Sequence, residues 1–248
     1  MGTEALRLQG EGERSKASRA GSWPTTRIAG TSGLLMVAAI VVNGPVSMLA
    51  GRMPDPWAGN AASELRAYLT DPSSLRTALI FFFLSCFIFV FGIPFFAGIR
   101  LLAGQADPSG LVGGVVAIGS ALFLAGGLVS EISGAGMPLV VQSVPGWHLD
   151  VNSALLVGGL WFVSLSQAQV ALGTVMIVFS AASLRSRVLP PWIAWLGVGA
   201  GLIDLARPLL IAHPGAFVGL FQPSLLWLAL VALVLLRVRT SLPDKREP

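Results

Sequence analysis

The sequence predicts an all-α fold: a polytopic transmembrane bundle of six helices with both termini in the cytoplasm. Of the 248 residues, 54% are hydrophobic and only 11% are charged, whereas soluble domains carry roughly 25% charged residues. The apolar residues form continuous runs, without the period-two alternation of outer-membrane β-strands. The composition therefore indicates that lipid is the solvent and that helices cross it.

Six apolar stretches are long enough to cross a hydrocarbon core about 30 Å thick, which takes about 20 helical residues. They lie near residues 28–50, 75–103, 111–133, 153–183, 191–212 and 217–238. The segment 1–26, rich in Gly, Ser and charge, is predicted to be a disordered basic cytoplasmic tail. Residues 27–238 form the transmembrane domain, and 239–248 form a short cytoplasmic tail.

The orientation follows from the basic residues, because short basic loops tend to stay in the cytoplasm. The connections near 134–152 and 213–216 contain no Lys or Arg, and the two arginines in 51–74 are balanced by three acids. Both termini are therefore predicted to be cytoplasmic. The basic residues on that side are Arg7, Arg14, Lys16, Arg19, Arg27, Arg100, Arg185, Arg187, Arg237, Arg239, Lys245 and Arg246.

The first external connection contains a stretch with helical periodicity. Within 58–70, Ala61, Leu65, Tyr68 and Leu69 fall on one helical face, which fits a short helix lying in the outer interface. An ordinary capped loop fits the same residues equally well.

The second external connection, 134–150, is rich in Gly and Pro and carries Gln142, His148 and Asp150. It is predicted to be an external loop, with a shallow re-entrant segment as the alternative.

An opposite charge pair, Asp204 and Arg207, lies inside the fifth apolar stretch. Each charge costs about 2.5 to 3.5 kcal/mol near a helix centre, so charged residues inside spans are functional candidates by default. At 1.5 Å per residue they lie about 20 Å and 24 Å from the cytoplasmic end. Gly197 and Gly201 share the face of Asp204, and Pro208 predicts a kink with a freed carbonyl. Asp204 should therefore point into the bundle.

Other polar residues lie at a similar predicted depth. Glu131 falls at the outer boundary of the third span, on a face with small residues, and Asn43 precedes a predicted kink at Gly44 and Pro45. Gln222 begins the last span, and Gln167 lies near the middle of the fourth; Gln167 and Gln169 cannot both face inward, because they are two residues apart. The sequence thus predicts an outward-facing polar cluster above a dry cytoplasmic half: Asp204, Arg207, Glu131, Asn43, Gln222 and Gln167.

Motifs for catalysis and for cofactor binding are absent from the sequence. It has no H-E-x-x-H, no G-x-S-x-G and no phosphate-binding glycine loop. Its single cysteine, Cys86, excludes an intrachain disulfide and a thiolate metal site. The net charge of +4 is spread over short segments beside the spans, which excludes a nucleic-acid patch. We expect no catalytic residue, no cofactor and no metal site.

Two segments carry a resemblance to a known family. Arg27, Ile28, Ala29 and Gly30 open the first span, and a second run leads from Arg187, Val188, Leu189 and Pro190 through Leu196 and Gly197 to Gly201, Leu202, Ile203 and Asp204. The membrane region, about 27–238, resembles a bacterial family of six-helix membrane proteins classed only as a domain of unknown function. The resemblance implies a multi-pass location in the bacterial inner membrane and supplies no activity.

The leading hypothesis is a non-enzymatic protein whose polar cluster binds a small ligand or ion, or couples to a partner. The partner would be a membrane protein or a second copy of the chain. A second hypothesis is an intramembrane enzyme acting on a lipid or a quinone, motivated by the external His148. A third is a purely structural subunit, in which Asp204 and Arg207 only lock neighbouring helices together.

Overall fold

The computed structural model describes residues 22–49, 58–144, 146, 150–210 and 221–237. These residues are almost entirely helical and contain no strand, which confirms the predicted all-α class for the described part. Residues 1–21 of the predicted N-terminal tail, the C-terminal tail and His148 lie outside it, whereas residues 22–26, predicted to be disordered, belong to the first helix. The helices are α1 (Ser22–Leu49), α2 (Ala61–Thr70), α3 (Pro72–Ala106), α4 (Leu111–Ser143), α5 (Val151–Ser186), α6 (Pro191–Ala206) continued by a 3₁₀ turn (Arg207–Leu210), and α7 (Gln222–Arg237).

Four of these helices are long and apolar enough to cross a membrane: α1, α3, α4 and α5. The helices α6 and α7 have 16 residues each.

Helix ends are set by local chemistry at the connections. Asp71 begins α3 by accepting the Ser73 backbone N–H, and Asp150 begins α5 by accepting those of Asn152 and Ser153, as N-capping carboxylates do.

The predicted external loop is wrong for most of its length. Residues 134–143 continue α4 as regular helix past Gly134 and Gly136, and Pro138 is accommodated within it. The reason is tertiary: Met137 packs against Leu65, Leu69 and Ala154, and this burial outweighs the low helix propensity of Gly and Pro.

The short helix in the first connection is confirmed as α2. Its buried residues are Ala61, Leu65 and Leu69, and Tyr68 is partly buried beside them. This apolar face rests on α4 and α5. Burial in this apolar contact raises the pKa of the Tyr68 phenol. The C-terminal part of α4, residues 134–143, also holds α2 in place, because the Gln142 side-chain amide donates to the Leu69 and Asp71 carbonyls at 3.1 and 3.0 Å.

The long helices form a closed ring. Each packs on the next in the order α1, α3, α4, α5, α6 and α7, and α7 packs back on α1. α3 and α5 also touch across the ring. The core between them is apolar, with Phe95, Ile99, Leu172, Phe179 and Trp227 fully buried.

Backbones approach closely where glycines face each other. A Cβ at Gly201 would lie 2.7 Å from the Gly173 carbonyl oxygen, and a Cβ at Gly173 would lie 2.7 Å from the Gly201 carbonyl oxygen. These two glycines therefore set the crossing of α5 and α6. Elsewhere, a Cβ at Gly30 of α1 would lie 2.8 Å from the Ala232 carbonyl oxygen of α7.

Replacing Gly201 with Ala is expected to lower the thermal unfolding temperature of the purified protein. The added methyl group would force α5 and α6 apart, and overpacking of this kind costs about 1–3 kcal/mol. The matched control is Gly199→Ala on the same helix, where an added Cβ meets nothing within 4 Å. That control should leave stability unchanged or raise it, since Ala favours helix by about 1 kcal/mol over Gly. Equal effects of the two variants would contradict the tight crossing.

Candidate functional site

The predicted polar cluster is divided between two groups of side chains. The first, the Asp204 group, consists of Asp204, Arg207, Phe221 and Ser224, on α6, the 3₁₀ turn and the start of α7. The second, the Glu131 group, consists of Asn43 on α1, Ser85 on α3 and Glu131 on α4. Three helices contribute to the second group, so its geometry depends on the ring itself.

The Asp204 group is fully enclosed. Both charged side chains have 0% exposure, and Arg207 Nη1 lies 3.6 Å from Asp204 Oδ1. The Ser224 hydroxyl donates to the other carboxylate oxygen, Oδ2, at 2.7 Å. The Arg207 guanidinium lies over the Phe221 ring, 5.2 Å from its centroid, which is cation–π distance. The two charges therefore face each other at ion-pair distance, with Asp204 Oδ1 making no hydrogen bond, and the group joins the end of α6 to α7.

Local sequence explains why Asp204 points inward. It follows Gly197 and Gly201 on the face of α6 that packs on α5 and α7, and a Cβ at Gly173 would lie 2.9 Å from the Asp204 Cβ. Pro208 cannot donate a backbone hydrogen bond to the residue 204 carbonyl, and the α-helix gives way to the 3₁₀ turn at Arg207.

The Glu131 group is a chain of hydrogen-bonding side chains. The Asn43 amide Nδ2 donates to Ser85 Oγ at 3.2 Å, and the Glu131 carboxyl lies near the Ser85 hydroxyl. The Asn43 amide is therefore oriented with its N–H group toward Ser85. Asn43 Oδ1 is left as a buried acceptor with no hydrogen-bond partner among the described residues.

Glu131 also lies deeper along its helix than the sequence predicted. The sequence placed it at the outer boundary of its span, but α4 continues to Ser143. It therefore lies about 18 Å before the end of the helix, at 1.5 Å per residue. The side chain is half-buried. No Lys or Arg of the described residues forms an ion pair with it.

Two predicted members lie outside both groups. Gln222 is exposed at the first position of α7, although its neighbours Phe221 and Ser224 belong to the Asp204 group. Gln167 is exposed on the outer surface of α5, and the buried residue of that pair is Gln169. The rotation of α5 about its axis decides which of the two glutamines is buried, since residues two apart on a helix point about 160° apart.

Ser85 and Ser224 are the partners that sequence reasoning missed. Serines occur throughout these apolar runs, and each becomes informative only when a helix from elsewhere in the chain places a carboxylate beside it. In the described residues no group of three or more His, Cys, Asp and Glu side chains could hold a metal ion. Asp150, a polar residue of the second external connection, serves as the N-cap of α5.

Comparison of the chain with known protein families, with curated proteins and with solved structures found no match.

Removing the Asp204 carboxylate alone, by Asp204→Leu, is expected to destabilise the protein by about 3–5 kcal/mol, because a buried charge loses its opposite partner. The double variant Asp204→Leu/Arg207→Met should recover most of that loss, since an apolar pair replaces an ion pair at little cost. Chemical or thermal unfolding in detergent micelles measures both. Arg66→Met on α2, where the arginine is exposed, is the control and should change stability by less than about 0.5 kcal/mol. A double variant that is no more stable than Asp204→Leu alone would contradict a mutual pair.

Proposed function

We propose that the chain is a non-enzymatic, multi-pass protein of the bacterial inner membrane that binds a small cation at the Glu131 group. In this proposal the Asp204 group is structural and the Glu131 group is the binding site. The proposal rests on a carboxyl without a basic partner, Glu131, and a buried amide oxygen without a donor, that of Asn43, both of which belong to residues near Ser85.

The chemistry of the Glu131 group favours positive charge. A carboxylate held among apolar helices without a cation is costly. Asn43 Oδ1 and the Glu131 carboxylate are both oxygen acceptors, and oxygen ligands suit hard cations such as Na⁺ as well as the N–H groups of an organic ammonium ion. Ser85 lies near both residues, and its hydrogen bond with the Asn43 Nδ2 atom leaves Asn43 Oδ1 pointing away from it. The half-buried side of Glu131 leaves the group open to a ligand.

The Asp204 group lacks this open character. Its carboxylate faces Arg207 and accepts from Ser224, and both charges are fully enclosed. A ligand would have to displace an existing ion pair there. We therefore assign the pair the role of holding α6 against α7.

The proposed topology has six crossings with both termini in the cytoplasm. α6 with its 3₁₀ turn covers about 32 Å, at 1.5 Å per α-helical and 2.0 Å per 3₁₀ residue, which matches a hydrocarbon core. Short connections make neighbouring helices antiparallel, so the basic ends of several helices meet at one end of the ring. Those residues are Arg27, Arg100, Arg185, Arg187 and Arg237, while Arg66 and Arg76 at the other end are accompanied by Glu64, Asp71 and Asp150.

Reporter fusions test this topology. Green fluorescent protein fused after Pro248 should fluoresce, because it folds in the cytoplasm, and alkaline phosphatase fused after Gly146 should be active, because it needs the periplasm. A phosphatase fusion after Pro108 is the control and should be inactive. An active phosphatase after Pro248 would overturn the proposed orientation.

Cation binding is tested by thermal unfolding of the purified protein, followed by tryptophan fluorescence. NaCl, KCl and methylammonium chloride are titrated at alkaline pH, with choline chloride keeping the ionic strength constant. At least one of the three should raise the unfolding temperature, because a ligand at 100 times its Kd adds about 2.7 kcal/mol of stability. Glu131→Gln and Asn43→Leu should abolish the rise.

The matched control for this experiment is Glu64→Gln, which neutralises an exposed carboxylate on α2 and should keep the full rise. An unfolding temperature that responds to none of the three cations would overturn the proposal. So would a rise that survives in a folded Glu131→Gln variant.

A further inference from the structure

Gln167 is a polar side chain on the outer surface of the ring, in the middle of a membrane helix. At 1.5 Å per residue it lies about 24 Å from the first residue of α5 and about 28 Å from the last. Any placement of α5 across a hydrocarbon core about 30 Å thick that leaves both helix ends outside puts Gln167 inside that core. The side chain is exposed and makes no hydrogen bond among the described residues, whereas the hydroxyl of Thr174, two turns further along the same face, donates to the Val170 carbonyl.

The surface around Gln167 is a groove between α4 and α5 with a volume of about 710 Å³. The groove exists because the two helices cross closely at Gly119 and Gly126: a Cβ at Gly126 would lie 3.1 Å from the Ser164 carbonyl oxygen. The walls are aliphatic on both sides of the amide, with Ile118, Leu122, Leu160 and Val163 exposed along them.

An amide that faces acyl chains has nothing to donate to and nothing to accept from. Exposing an unpaired amide to hydrocarbon costs several kcal/mol, and transmembrane Gln side chains relieve this cost by bonding across helices. The occupant of the groove must therefore bring a hydrogen-bonding group to the depth of Gln167. Lipid tails cannot do so.

We propose that a second copy of this chain occupies the groove, with the two Gln167 amides hydrogen-bonded to each other across a two-fold axis normal to the membrane. Two copies inserted in the same orientation place Gln167 at the same depth, so the polar groups meet without any further adjustment. Each amide has donors and an acceptor, which makes the contact self-complementary. A two-fold interface uses the same patch on both copies. The groove beside Gln167 on one copy would therefore face the same groove on the other.

Disulfide cross-linking in native membranes tests the dimer. In a Cys86→Ser background, which removes the single native cysteine, Val163→Cys on the groove should give an oxidant-dependent band at twice the mass of the chain. Val90→Cys is the matched control, because Val90 is 61% exposed on α3, away from the groove, and it should give little cross-linked product.

Dependence on the amide separates this contact from random collision. Adding Gln167→Leu to the Val163→Cys variant should lower the cross-linked fraction about tenfold, within the range of transmembrane amide hydrogen bonds, and Gln167→Asn should restore part of it. Since Gln167 faces outward, its replacement by Leu should leave the thermal stability of the monomer unchanged.

Three results would overturn the dimer. The first is a folded Val163→Cys protein that forms no cross-link, which would leave the groove to lipid. The second is cross-linking unchanged by Gln167→Leu. The third is an adduct whose mass shows a different protein. The proposed cation site and this dimer use different residues, so either can fail while the other stands.

Discussion

Close approach of helix backbones is the constraint on which the rest of this structure depends. Lipid tails give apolar side chains no reason to leave them, so helices in a membrane associate through van der Waals contact and interhelical hydrogen bonds. Gly173 and Gly201 allow α5 and α6 to meet backbone to backbone, and Gly30 does the same between α1 and α7. Close helix packing also lets a short side chain such as Ser224 reach a carboxylate on another helix.

The sequence predicted the helices well because each apolar run is long and uninterrupted. It failed at 134–143, where Gly and Pro indicated a loop, since the contact of Met137 with α2 and α5 is a tertiary fact that no local pattern contains. For the same reason, the small residues of α4 did not predict which neighbouring helix each of them contacts. Gly127 packs toward Phe89 of α3, but Gly119 and Gly126 form the contact with α5.

For the candidate site, the sequence could predict which residues are costly in a membrane but not which of them meet. Asp204 and Arg207 are three residues apart on one helix, so their pairing follows from helical spacing. Glu131 depends on Asn43 and Ser85, which are far away in the chain, and their proximity follows from the packing order of α1, α3 and α4. The choice between Gln167 and Gln169 depended on the rotation of α5, which periodicity leaves open when a helix is apolar on all sides.

These polar residues differ in how many of their hydrogen-bonding and charge-balancing partners the fold itself supplies. Asp204 lies 3.6 Å from Arg207, accepts the Ser224 hydroxyl and is closed from outside, although its Oδ1 atom makes no hydrogen bond. Glu131 lies near the Ser85 hydroxyl and forms no ion pair with a described residue. Gln167 makes no hydrogen bond among the described residues and faces outward. Because hydrocarbon forms no hydrogen bonds and solvates charge poorly, the proposed cation at Glu131 and the proposed second copy at Gln167 would each supply what the fold lacks at that position.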